Sequence, residues 1–302
     1  MTVKNFGVQE DSVQGRATAR LRAMLSGARM VVAPFVLNAY HARIAESMGF
    51  PAVYMTGFGT AAECGYPDVG LVTQTEMVQN ARYIASAVQV PLICDADTGY
   101  GNPINVTRTI REYEAAGVAG CHIEDQVFPK KCGFFEGKQV VPMAEHVQKL
   151  RAALDARRDQ DFVIIARTDA LAVHGWEDVV RRCRVYHETG ADLVFVDGIK
   201  TVDDLRTYAR ELRGIPKLYN GMLLPTSEVE NLGFQVMITG GTIGVIFKAL
   251  RDALQELQEQ GSVSPSRLAT RDEITSVLGL AHVYELENTY GVAETHQVSG
   301  GR

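Results

Sequence analysis

Short, almost wholly apolar runs alternate along this chain with longer stretches in which apolar residues recur every three to four positions. Eight of the short runs read as strands: 30–35, 52–56, 91–95, 120–124, 162–167, 192–197, 217–220 and 235–239. Their near-continuous Val, Ile, Leu and Ala content fits strands buried on both faces of a parallel sheet. Helical periodicity lies between them, at 74–88, 106–116, 144–157, 176–188 and 201–212. Thr201 or Asp203, and Thr226, read as helix starts, and Gly117 and Gly190 as helix ends. Trp176 opens a helix on the outside of the fold. Eight βα units is the count of a (β/α)8 barrel, a TIM-type α/β fold. The rival is an open, doubly wound sheet. No Gly-x-Gly-x-x-Gly follows the first strand, and acids end several different strands, as the active site of a barrel requires. The expected division is a catalytic barrel over 1–260 and a C-terminal helical arm and tail over 261–302. The arm carries a helical pattern at 271–290 and packs on the barrel or on a partner; the tail from Thr295 frays.

The 302 residues are 46% hydrophobic and 22% charged, enough for a substantial core. A net charge of −6 argues against a nucleic-acid partner. Five irregularly spaced cysteines, with no Cys-x-x-Cys pair, predict reduced thiols and no zinc site. No apolar stretch reaches the roughly 18 residues of a membrane span. These features predict a cytoplasmic protein with no membrane partner.

The candidate chemistry sits just after the strands. The run Cys94-Asp95-Ala96-Asp97-Thr98-Gly99-Tyr100-Gly101 places Asp95 and Asp97 on one face of the third strand's end, because alternate strand residues point the same way. Two such charges need a cation, and hard oxygen ligands suit Mg²⁺ or Mn²⁺. Strand two ends in Thr56-Gly57-Phe58-Gly59, whose backbone N–H groups can hold a carboxylate or phosphate. Strand four supplies His122, Glu124 and Asp125; strand five supplies Arg167 and Asp169, either a carboxylate clamp or an ion pair. Strand six supplies Asp197 and strand seven Asn220. The loop 126–140 carries Lys130, Lys131, Cys132 and Gly133. Its ammonium groups favour a thiolate, which suits a lid holding a proton donor or base. His41, His146, His174, His187, His282 and His296 form no set at ligand spacing.

Together YMTGFGTAAECGYPDVG, CDADTGYGN, GCHIEDQVFPKKCG and IIARTDA resemble the isocitrate lyase / phosphoenolpyruvate mutase superfamily. The resemblance implies a barrel whose last helix is swapped between subunits of a homodimer or homotetramer. It implies Mg²⁺ near Asp95, Asp97 and Glu124, supported by Asp68. It implies substrate binding by Thr56, Gly57, Phe58, Lys130, Gly133, Arg167, Asp197 and Asn220, with Cys132, Tyr54, Glu124 and Arg167 in the reaction. The chemistry it implies is an enolate of an α-oxo acid, reached by C–C cleavage of a 2-hydroxy di- or tricarboxylate. The alternative is rearrangement of a phosphoryl group between enol oxygen and carbon; an α-oxo-acid decarboxylase, a C–C hydrolase and a non-catalytic binding barrel stay open behind these. Three positions depart from the lyase pattern. Phe134 stands where a histidine is expected, Asp197 replaces a glutamate, and Asn220 is followed by GMLLPTSE rather than a Gly-Lys-Thr-Pro or Gly-Ala-Thr-Pro turn.

Overall fold

In the computed structural model, which describes residues 15–133 and 135–291, eight parallel strands close into a barrel in sequence order. They are β1 (Val31–Val36), β2 (Val53–Met55), β3 (Leu92–Asp95), β4 (Gly120–Glu124), β5 (Val163–Thr168), β6 (Leu193–Val196), β7 (Lys217–Asn220) and β8 (Val236–Thr239), with β8 pairing back onto β1. The doubly wound alternative is thereby excluded. Each strand falls within a residue or two of its predicted run, because an uninterrupted apolar run has no other way to bury both faces.

Helices follow the strands: α1 (Ala17–Leu25) before β1, then α2 (Ala39–Ser47), α3 (Gly57–Glu63), α4 (Gln74–Ala87), α5 (Pro103–Ala115), α6 (Met143–Ala156), α7 (Leu171–His174), α8 (Trp176–Glu188), α9 (Val202–Glu211), α10 (Thr226–Asn231) and α11 (Gly241–Gln260). Local chemistry sets their ends. Thr73 and Glu76 form a capping box on α4; Asn102 accepts from the first turn of α5, where Pro103 supplies a preset φ; Thr201 caps α9 through Asp204 N. Thr226 is the first residue of α10 rather than its cap, since Pro225 precedes it.

The barrel's interior is filled by alternate strand residues, among them Val31, Ala33, Tyr54, Ile93, Ile165, Phe195, Leu218 and Ile238. Leu21 of α1 belongs to the same cluster, so α1 stoppers the end where the strands begin. The opposite residues of each strand pack against the helices in two further clusters.

Among the described residues, 15–247 form one compact unit, and those from Lys248 onward belong to a second. The pattern at 271–290 is two helices, α12 (Arg271–Leu278) and α13 (Leu280–Tyr290). They are separated by Gly279, whose φ of 80° ends the first helix in the left-handed conformation that glycine adopts without strain. The predicted frayed tail and His296 lie outside the described residues.

Candidate active site

Side-chain alternation dictates what the barrel mouth contains. With Tyr54, Ile93, Ile165, Phe195, Leu218 and Ile238 pointing inward, the next inward positions are Thr56, Asp95, Asp97, Glu124, Arg167, Asp169, Asp197 and Asn220. The predicted residues therefore meet at one end of the barrel, and most are nearly inaccessible.

Arg167 is the hub. Its Nη1 lies 3.0 Å from Glu124 Oε2, its Nε donates to Asp169 Oδ2 at 2.9 Å, and its Nη2 donates to Asp197 Oδ2 at 2.8 Å. Its guanidinium carbon also lies 5.2 Å from the centre of the Phe195 ring. Of the two sequence readings of Arg167, the structure shows the ion pair, and it is made with three acids that fix the plane of the fork. Asn220 Nδ2 donates to the other oxygen of Asp197 at 3.2 Å.

Lys130 forms a second hub, its Nζ 2.5 Å from Asp68 Oδ1 and 2.8 Å from Asp97 Oδ1. Asp95 accepts from Gly57 N at 3.2 Å and from Asp97 N at 2.9 Å. Asp97 itself has a φ of 45°, a strained value for an aspartate, so the turn holds its carboxylate at some cost. A Cβ on Gly57 would meet Asp95 Oδ2 at 2.6 Å, so only glycine lets this turn approach the acids. Gly133 is more constrained still, since its Cβ would lie 1.4 Å from Asp197 Oδ2. Lys138 fixes the same stretch of lid through the Gly133 carbonyl and Asp169, the latter at 3.2 Å. Cys132, partly buried, donates its N–H to the Asp68 carbonyl at 3.0 Å. Phe134 lies outside the described residues.

Burial would raise every acid here. At Asp95 it is outweighed by the charged groups around the carboxylate, which bring it to about 2; at neutral pH Lys130 and Arg167 supply that charge. At Asp97 burial wins in spite of Lys130, and the carboxyl rises to about 6. Glu124 is pushed well above the usual range by burial despite Arg167, and its Oε1 is buried with no hydrogen-bond partner among the described residues.

Two contacts are not legible in the sequence. The strand-four reading groups His122 with Glu124 and Asp125 and gives it no partner. Its Nε2 lies 2.7 Å from Tyr54 Oη, and burial lowers its pKa to about 4, leaving a neutral ring. Asp125 does not join the site: it faces away from the barrel interior and accepts from Thr168 Oγ1, Asp169 N, Arg182 Nη1 and Tyr186 Oη. It thereby braces the turn that presents Asp169 to Arg167. Only the odd position of Asp125 in the alternation could have revealed this.

The sequence profile described as "Phosphoenolpyruvate phosphomutase" matches residues 21–258. A 2,3-dimethylmalate lyase of Eubacterium barkeri is 40% identical over 281 residues, covering 90% of this chain and 97% of that one. Among solved structures, oxaloacetate acetylhydrolase in complex with 3,3-difluorooxalacetate superposes with a TM-score of 0.87 at 36% identity, covering 91% and 97% of the two chains. A phosphonopyruvate hydrolase complexed with oxalate and Mg²⁺ does so with a TM-score of 0.84 at 30% identity, covering 91% and 99%. The closed barrel, the acid-and-arginine mouth and these likenesses agree: the chain belongs to the phosphoenolpyruvate phosphomutase family of the isocitrate lyase / phosphoenolpyruvate mutase superfamily.

Proposed function

We propose that this enzyme is a Mg²⁺-dependent lyase that breaks a C–C bond of a 2-hydroxy di- or tricarboxylate to release an α-oxo acid. The observation that carries this reading is the placement of Cys132 and Gly133 on a lid pinned over Arg167 and Asp197 by Lys138. A thiol carried on that lid, next in sequence to the glycine that approaches an oxyanion-stabilising arginine, suits delivery of a proton to a carbon acid. The 40% identity to a 2,3-dimethylmalate lyase supports the same assignment.

The residues present suit a hard divalent cation. Asp95, Asp97 and Glu124 supply only carboxylate oxygens, and Glu124 Oε1 is buried without a partner among the described residues. Among those residues no three His, Cys, Asp or Glu side chains are clustered to ligate one ion by themselves, so water would complete the sphere. When bound, Mg²⁺ would supply positive charge against the developing oxyanion.

The rest follows from the chain's own groups. Thr56, Gly57 and Phe58 open α3, and this turn, whose Gly57 N–H is already given to Asp95, places the Phe58 N–H for one substrate carboxylate. Arg167 binds and orients the α-oxo fragment, with Asp197 and Asn220 fixing its plane. Glu124 takes the hydroxyl proton as C2 becomes a carbonyl and the C2–C3 bond breaks. The electron pair passes to the carboxylate-bearing C3 fragment, and Cys132 returns a proton to that carbon. Tyr54, held protonated by burial and hydrogen-bonded to His122, donates to the oxygen that carries charge.

Phosphoryl rearrangement between enol oxygen and carbon is the second reading, supported by the family profile's own description. We place the enzyme in the cytoplasm as a homodimer or homotetramer with a helix-swapped arm. None of the five cysteines forms a disulfide, and no described helix is long and apolar enough to cross a membrane. Chelation with EDTA should abolish turnover and added Mg²⁺ should restore it, whereas Asp95→Ala should stay at least about 10³-fold below wild type at any Mg²⁺ concentration. Near wild-type turnover in that variant would refute the metal assignment.

A further inference from the structure

Asp125 and Arg182 form an ion pair on the outer face of the barrel wall, away from the mouth. Asp125 follows Glu124 at the end of β4, Arg182 stands in α8, and their side chains are 0% and 5% exposed. Two charges taken out of water gain little stability beyond their own desolvation. The other bonds of the pair show what it does.

Asp125 Oδ2 accepts from Thr168 Oγ1 at 2.7 Å and from Arg182 Nη1 at 3.0 Å, and Oδ1 accepts from Asp169 N at 3.0 Å. Thr168 and Asp169 directly follow Arg167. Asp169 in turn accepts from Arg167 Nε at 2.9 Å and Nη2 at 3.1 Å. A chain of direct hydrogen bonds therefore runs from α8, through Asp125 and the Asp169 turn, to the plane of the Arg167 guanidinium.

Arg182 also holds the root of the lid. Its Nη1 donates to the Val141 carbonyl at 3.1 Å, and Val141 N donates to the Asp125 carbonyl at 2.8 Å. Val141 follows the antiparallel bridge between Gln126 and Val140, which closes the base of the lid loop. Arg182 Nε is tied to Asp178 Oδ2 at 2.7 Å, one turn back on α8, so the guanidinium cannot swing. A planar fork can face Asp178 on one edge and Asp125 and Val141 on another; an ammonium group, a point donor, cannot.

We propose that Arg182 is a positioning residue: through Asp125 it fixes the Arg167 fork and the lid root relative to each other, so that a helix outside the barrel sets how tightly a substrate carboxylate is held. This rests on the carboxylate-binding role of Arg167 and not on which bond the enzyme breaks.

The test is calorimetric binding of oxalate, a dicarboxylate with no bond for a lyase to cleave, to the Mg²⁺-loaded protein, beside thermal melting. Arg182→Met keeps much of the side chain's bulk and removes its charge. Arg157→Met is the control, because Arg157 makes a like ion pair with Asp192 at 3.1 Å and bonds the Phe162 carbonyl at 3.0 Å, at the other end of β5 and β6. Both variants should melt earlier than wild type. Oxalate Kd should rise at least about tenfold in Arg182→Met and stay within about twofold of wild type in Arg157→Met. Arg182→Lys keeps a cation beside Asp125, so it carries the test should Arg182→Met fail to fold, and its oxalate Kd should rise about threefold. Wild-type affinity in either Arg182 variant, or equal weakening in Arg157→Met, would overturn the proposal. If wild type cleaves no hydroxy acid while oxalate binding follows this pattern, the lyase reading falls and the role of Arg182 stands.

Discussion

At the scale of single residues the site is governed by how few positions can change. Gly133 sits where any side chain would collide with Asp197, and Gly57 where any would collide with Asp95, so backbone and carboxylates approach more closely than a Cβ permits. Cys132 follows directly from the first of these constraints: its neighbour's lack of a side chain brings the lid down over Arg167. Replacement by serine leaves the fold intact, because the backbone bond to Asp68 remains. In the lyase reading, Cys132→Ser should lower kcat by about 10²–10⁴-fold and slow deuterium uptake into the released acid equally, as expected when a proton donor is replaced by a much weaker acid. Unchanged deuterium uptake would mean that another group delivers the proton. Asp95, Asp97, Glu124 and Arg167 were legible in the sequence because alternation along a strand fixes their direction. Asp125 was not, since its adjacency to Glu124 suggests a shared role while its odd position sends it to the other face. The pairing of His122 with Tyr54 was hidden for a different reason: it joins strands two and four across the barrel, and no local pattern encodes that contact.

At the scale of elements, strands were easier to place than helix ends. Strand limits are set by burial on both faces, whereas the helices stop where a cap or a left-handed residue intervenes. The helical pattern at 271–290 shows this, because the periodicity runs through Gly279 while the backbone breaks there into two helices. The outward face of β4 and β5 is held by α6 and α8 through Asp125, Arg182, Tyr186 and His146. The His146 ring lies 4.7 Å from Tyr186, and both its nitrogens are buried without a partner among the described residues. Burial, with Lys149 and Arg182 adding to it, lowers its pKa to about 3 from an ordinary 6.5. A depressed folded-state value means that the neutral ring's contribution is fully present above pH 6.5 and is lost as pH falls toward 3. Chemical denaturation of wild type and His146→Phe across this range should show wild type losing stability on acidification and the variant losing less. Parallel curves would mean that His146 is not a source of acid sensitivity.

At the scale of the whole molecule, the second half of α11 carries Leu250, Leu254 and Leu257 at three- and four-residue spacing, exposed by 59%, 54% and 45%. It is the kind of apolar face that the homo-oligomer proposed above would cover. Light scattering should find a dimer or larger species, and replacing all three leucines with glutamate should reduce it to a monomer; a monomeric wild type would contradict the assembly. The central claim concerns the reaction, and one experiment addresses it most directly. The Mg²⁺-loaded enzyme is given 2,3-dimethylmalate, isocitrate and 2-methylisocitrate in one tube and phosphonopyruvate in another, with proton and phosphorus NMR followed together. A pyruvate or glyoxylate signal growing from a hydroxy acid, with phosphorus unchanged, is the predicted result. Phosphorus moving from a phosphonate to an enol phosphate, with every hydroxy acid left intact, would contradict it.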